Sequence, residues 1–226
     1  MVDQAINDAG QQGVAACPAR LHATGAAGPR SGAPAASAAA VLALLCLAGA
    51  VPAEEEAPPD PRMAQGRELS TRLQQQLSGR LMAAMLESGA VNAIDVCRTE
   101  APGIAAGLSS GAGARVWRTA LKVRNPVNAP DLNARAVLEE FADELGTGTG
   151  AVPEHFAVAA DGSARYMRAI VTQPPCLACH GAEIAAPVRE AIQAHYPQDA
   201  ATGFAAGDLR GAFVVDWPAR SPAETP

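Results

Sequence analysis

An α+β fold is predicted by a change of period along the chain. Up to about residue 112, apolar side chains recur every three to four positions, as on one face of a helix; from Arg115 they alternate in twos, as on a strand. A second asymmetry agrees with the first: the aromatic residues (2 Trp, 2 Tyr and 4 Phe) all lie between Trp117 and Trp217. The 226 residues are 49% apolar and 18% charged, which excludes a wholly disordered chain and supplies one core with appendages.

The N-terminal 53 residues read as a leader and an export signal. Residues 1–34 have no apolar period, while Ala35–Val51 is an uncharged, almost purely apolar run leading into Val51-Pro52-Ala53, with small residues where a signal peptidase cuts. Cleavage after Ala53 would release the chain to the periplasm. The run is shorter than the roughly 20 residues of a spanning helix, so a retained anchor facing the periplasm is the weaker alternative. Residues 54–61 are a Glu- and Pro-rich linker that has little to bury.

Folded structure is expected over 62–217. Leu69, Leu73, Leu77 and Leu81, extended by Met82, Met85 and Leu86, place an amphipathic helix at 62–87, ended by Ser88-Gly89. Asn92 is read as the cap of a second helix with Ile94, Cys97, Ala101, Ile104 and Leu108 on one face. Pro102 has no N–H to offer the carbonyl of Arg98, so a kink or restart is expected beside Cys97. Alternation over Arg115–Val123 predicts a strand, closed by the turn-rich stretch Asn125–Asp131. Asp131 or Asn133 caps a third helix carrying Val137, Leu138, Phe141 and Leu145. Phe156–Ala159 and Arg165–Val171 flank Asp161-Gly162 as a hairpin, a short helix covers 184–194, and Leu209–Trp217 is the last strand. Residues 218–226 read as a disordered tail.

Charge argues against a duplex nucleic-acid partner. The net charge is −6, Lys122 is the single lysine, and no run of basic residues could neutralise a row of phosphates.

The strongest chemical signal is Cys176-Leu177-Ala178-Cys179-His180. Cys-x-x-Cys-His is the attachment pattern of c-type haem: two thiols add to the vinyl groups and the next residue supplies a proximal imidazole. A redox dithiol would be expected at a helix start within a βαβ unit, and a structural zinc site would need a second pair of ligands; neither accounts for the adjacent histidine. Export would remove Cys17 and Cys46, and haem would occupy Cys176 and Cys179, leaving Cys97 unpaired in an oxidising compartment. Candidates for a second axial ligand are then Cys97, Met167, His195, His155, Met82 and Met85. Met82 and Met85 read as core of the first helix, and Cys97 could equally be a small buried hydrophobe.

Several segments together resemble the c-type haem-binding, PAS-like domain family, which occurs as stand-alone exported proteins and as sensor domains of bacterial receptors. They are Val96-Cys97 with Ala101-Pro102, the stretch Arg118–Pro130, Cys176–Gly181, Tyr196–Gly203 and Gly207–Ala212. The resemblance implies a PAS-like antiparallel sheet with helices on one side. It also implies one covalent haem c held by His180 and by a cysteine matching Cys97. Ala120 stands where the family often has serine. Arg118 and Arg124 are expected to face the haem propionates, because guanidinium groups bind carboxylates bidentately.

Two functions compete on this reading. One is a redox- or gas-responsive sensor in which Cys97 leaves the iron on reduction or when a diatomic ligand arrives, passing a signal to a separate protein. The other is a small low-potential electron carrier with a permanently six-coordinate iron. A peroxidase would need an acid–base residue on an open distal side, for which His155 or His195 is the candidate; no enzymatic activity is expected.

Overall fold

The computed structural model describes residues 58–148 and 150–219; the leader, the export signal and residues 220–226 lie outside the described residues. The elements run α1 Pro61–Asp95, a π-helical turn Val96–Glu100, α2 Ala101–Ala112, β1 Arg115–Thr119, α3 Leu132–Gly146, β2 Glu154–Val158, β3 Ala164–Val171, α4 Leu177–His180, α5 Ala186–His195 and β4 Leu209–Trp217. All strand pairs are antiparallel, in the order β1-β4-β3-β2. The fold is α+β, as the change of period predicts. Among the described residues no helix is long and apolar enough to cross a membrane.

Asp60 opens α1 by accepting the Arg62 N–H at 2.9 Å, with Pro61 in the first turn where its missing N–H is harmless. The helix breaks at Gly89, whose φ of 80° and ψ of 171° are open to glycine and hostile to other residues. The chain doubles back there. Along a straight helix Arg80 and Glu100 would lie about 30 Å apart, yet their side chains bond at 2.7 Å. The predicted stop at Gly89 is therefore a reversal. Helix resumes immediately after it, and Asn92 does not cap: its Nδ2 donates to the Ser88 carbonyl at 2.9 Å.

The expected disturbance at Pro102 takes the form of a π turn. The Ala101 N–H reaches back five residues to the Val96 carbonyl, and α2 begins with Pro102 in its first turn. The extra residue shifts the helix face, so Ile94 packs against Val188, Ile192 and Tyr196 while Ile104 and Leu108 pack against the sheet.

Helices cover both faces of the sheet, which departs from the one-sided arrangement implied by the resemblance. On one face, Leu69 and Leu73 of α1 and Leu108 of α2 pack against Val116, Tyr166, Phe213, Val215 and Trp217. On the other, Ala134, Val137, Leu138 and Phe141 of α3 meet Met167, Ala169, Ala212 and Val214. The alternation along β3 and β4 feeds both cores. Asp131 is the cap of α3, its Oδ1 accepting the Ala134 N–H at 2.7 Å. Where α1 crosses β3, a Cβ on Gly66 would stand 2.5 Å from the Tyr166 ring, so only glycine allows that approach.

β1 ends four residues earlier than the alternation suggests. Beyond Thr119 the chain leaves β4 and follows the loop before Phe204, the Val123 carbonyl accepting the Ala200 N–H at 3.0 Å. This departure carries Lys122 and Arg124 to the site.

Candidate functional site

Pro174 and Pro175 end the extended run of β3 and start a 3-10 turn, Pro174–Cys176, that leads into α4. Cys176 and Cys179 are both half-buried and unbridged, as is Cys97. Gly181 follows because a Cβ there would meet the Leu177 carbonyl oxygen at 2.7 Å.

A single loop grips this turn. Phe204 N–H donates to the His180 carbonyl and Gly203 N–H to the Gly181 carbonyl, each at 3.0 Å. The Phe204 ring stands edge-on to the imidazole, with centroids 6.3 Å apart. His180 Nδ1 lies 2.7 Å from the Ala201 carbonyl oxygen. A carbonyl only accepts, so Nδ1 carries the proton and Nε2 keeps a free lone pair. Burial, then the nearby charges of Arg210 and Arg124, push His180 down to about 3, which keeps the ring neutral.

Arg124 sits behind the turn. Its Nη2 donates to the Cys179 carbonyl at 2.6 Å, to Asp199 Oδ2 at 3.1 Å and to the Ala201 carbonyl at 3.3 Å. Asp199 Oδ1 in turn accepts the Ala201 N–H at 2.8 Å. The ion pair is nearly closed to solvent, with side chains 10% and 5% exposed. Arg124 Nε is buried without a hydrogen-bond partner among the described residues.

Two further arginines face the same space. The side chain of Arg118, in β1, makes no hydrogen bond or ion pair among the described residues, and burial lowers its pKa against the opposing influence of Cys97 and Tyr196. Arg210 is the extra residue of a β-bulge: Ile170 pairs with Gly211 and Val171 with Leu209, so Arg210 has no partner across the ladder. Its guanidinium lies 5.4 Å from the Phe204 ring centre, and Nη1 makes a long bond of 3.4 Å to the Lys122 carbonyl. Burial, Arg124 and Arg118 together bring it down to about 10.

The π turn directs Cys97 into this group, within electrostatic reach of Cys179, Arg118, Tyr196 and Arg210. Burial raises the Cys179 thiol, with Arg124 opposing the rise. The fold thus gathers Cys97, Arg118, Arg124, Cys176, Cys179 and His180. Two of the remaining axial candidates lie elsewhere. Met167 is fully buried in the α3 core, and His155 is on β2, at the sheet edge opposite β1. His195 is exposed at the end of α5. Met82 is 40% exposed, so it is not the core residue its spacing suggested.

Arg210, Asp199 and Ala201 were not singled out from the sequence as site residues. Arg210 and Asp199 stand in the segments that carried the family resemblance, but their roles depend on a bulge and a loop that spacing does not encode. Ala201 contributes only backbone groups, its carbonyl to His180 and Arg124 and its N–H to Asp199.

Comparison with curated proteins returns no match. Among solved structures the chain is similar to the crystal structure of the cyanobacterial heme-protein Tll0287, at 26% identity and a TM-score of 0.55, covering 73% of this chain and all of that one. A profile of the Tll0287-like family matches residues 53–218, which takes in every element of the fold and every residue of the site. The family resemblance drawn from the motifs is thereby upheld: the chain belongs to the Tll0287-like family.

Proposed function

We propose that this chain is an exported c-type haem protein with one covalently attached haem, ligated by His180 and Cys97, and that it works as a redox- or gas-responsive sensor. The observation that carries the reading is the His180 tautomer: Nδ1–H is committed to the Ala201 carbonyl, so Nε2 points its lone pair outward beside two unbridged thiols. The similarity to a protein described as a heme-protein supports it.

The residues fit the group. Cys176 and Cys179 would carry the vinyl thioethers and His180 the proximal bond. The Arg118 guanidinium and the orphaned Nε of Arg124 lack acceptors, and Arg210 has only a long bond to the Lys122 carbonyl, so all three could serve two propionates. When bound, haem would supply a one-electron iron centre, and thiolate donation from Cys97 would hold it at low potential. The protein keeps His180 neutral and fixes its tautomer, and Cys97 on the π turn would supply the thiolate.

The π turn favours the sensor over the carrier. A π-helical segment has one residue more than the α-helix needs, and such segments concentrate at functional sites. On the sensor reading, Val96–Glu100 would change register with Cys97 on it while α2 stays packed through Leu108. We assign no catalytic role. Cleavage near Ala53 and a periplasmic location belong to the same proposal, since thioether formation takes place outside the cytoplasm.

Acid–acetone extraction and a pyridine haemochrome spectrum test the attachment, on protein made with the c-type maturation system. Haem retained by the polypeptide with a c-type spectrum is expected; extractable haem, or none, overturns the proposal. Cys97→Ala should then change the low-spin ferric spectrum and speed CO binding to the reduced form. Wild-type protein inert to CO would turn the sensor reading into the carrier.

A further inference from the structure

From the hydrogen bonds around Ala201 we infer that the buried Arg124–Asp199 pair is a tuning device for the proximal histidine, setting how strongly His180 donates to its ligand. The inference rests on the haem reading above. The Ala201 carbonyl accepts from two donors, His180 Nδ1 at 2.7 Å and Arg124 Nη2 at 3.3 Å. A neutral imidazole whose Nδ1–H is bound to a strong acceptor gains imidazolate character and becomes a better electron donor. A cation sharing that acceptor draws its electron density away and weakens the effect. Arg124 therefore restrains His180.

Asp199 sets the strength of the restraint. Its Oδ2 holds Arg124 at 3.1 Å, while its Oδ1 accepts the Ala201 N–H at 2.8 Å. One carboxylate thus fixes both the cation and the peptide to which it is applied. Arg124 also holds the Cys179 carbonyl at 2.6 Å, so the residues on both sides of His180 in space are tied to one guanidinium. Because the pair is almost solvent-free, bulk water screens it little. Arg124 and Asp199 are positioning residues: they act on the iron through His180.

The two ends of the pair should move the potential in opposite directions. Arg124→Lys keeps the charge, but an ammonium cannot reproduce the planar guanidinium that reaches two carbonyls and a carboxylate. His180 then has the Ala201 carbonyl to itself, ferric iron is favoured, and the ferric/ferrous equilibrium should shift about tenfold, roughly 59 mV downward for one electron. Asp199→Asn removes the counter-charge, leaves Arg124 to the carbonyls, and should shift the equilibrium upward.

The experiment is spectroelectrochemical titration of the wild-type holoprotein and both variants, with thermal unfolding and the exchange rate of the His180 Nδ1 proton measured alongside. Opposite shifts with unchanged axial-ligand spectra, and a slower Nδ1–H exchange in Arg124→Lys, are expected. Lower melting temperatures with unmoved potentials would show a purely structural pair and overturn the inference, as would shifts of the same sign. If either variant fails to mature, the other decides by the sign of its own shift. A wild-type protein without haem would instead overturn the haem reading and take this inference with it, and the haemochrome spectrum separates that case.

Discussion

In the two cores that flank the sheet, the side chains with least exposure are almost all apolar, among them Leu73, Leu138, Met167 and Val214; around His180, charged groups are withdrawn from solvent beside apolar Ala201 and Phe204. Arg124 is 9% exposed, and half-buried Arg118 and Arg210 face the same space without a carboxylate of their own. Desolvating a guanidinium opposes folding, while burying Leu and Val drives it. Stability is therefore expected to reside in the two cores, and the pocket is held in shape by them. The contrast teaches which region a substitution should damage: changes in the sheet alter how much protein is folded, changes in the pocket alter what the folded protein holds.

The largest effect should come from Leu73→Ala. Leu73 is fully buried between α1, α2 and the sheet, and the cavity should remove about 2–5 kcal/mol of stability. Urea unfolding of variant and parent reads this directly, and a loss under about 1 kcal/mol would mean that α1 is not part of the main core. Gly66→Ala should follow. Alanine favours a helix by about 1 kcal/mol over glycine, but its methyl would meet the Tyr166 ring at 2.5–2.8 Å, and overpacking of this kind costs about 1–3 kcal/mol. A net gain in stability would show that the ring can move aside.

These two positions also mark how far sequence reading reached. Leu73 was legible, because a four-residue leucine spacing reports a buried helix face whatever that face meets. Gly66 was not, since the need for glycine comes from Tyr166, a hundred residues away. The same division runs through the site. Cys176, Cys179 and His180 announce themselves because the chemistry demands contiguous residues. Arg118 and Arg124 were reached through the general affinity of guanidinium for carboxylate and through family resemblance. Arg210 waited on a bulge between β3 and β4, and Asp199 on a loop that wraps the imidazole. Register and loop path are collective properties of the fold. The apolar spacing around Asn92 was misleading for a related reason: the reversal at Gly89, not a capping side chain, decides where helix resumes.

Arg210→Met sharpens the comparison because its sign is reversed. Removing a half-buried guanidinium that has no carboxylate partner should leave the haem-free protein more stable by about 1 kcal/mol, as replacing buried charge with apolar volume often does. If Arg210 belongs to the donor set proposed for the propionates, the same change should raise the pH dependence of the reduction potential. Urea unfolding of haem-free protein and a potential–pH series on the holoprotein test the two halves. A destabilised variant would place Arg210 with the core residues and break the division between sheet and pocket.

The smallest expected effect lies at the sheet edge farthest from the pocket. Glu154, in β2, accepts the Tyr166 O–H at 2.8 Å and is clasped by Arg67 Nε at 2.9 Å from each oxygen. The Arg67 bond, against the opposing influence of burial and with help from Tyr166, holds the carboxyl below its usual value of 4.5. A carboxyl depressed in the folded state stabilises it fully above the unfolded value and ceases to do so as pH falls through the folded one. The contribution should therefore be complete above about pH 4.5 and fade below it. Arg67 is exposed and its pairing is screened, so most of the effect should come from the Tyr166 bond, about 1 kcal/mol. Glu154→Gln should be less stable than the parent at pH 7 and lose less stability on acidification, so the two converge as the Glu154 carboxyl takes up its proton. Urea midpoints across that range test this, and parallel curves would remove Glu154 from the account. The reduction potential of the same variant should not move, because β3 and β4 stand between this edge and the loop that holds His180.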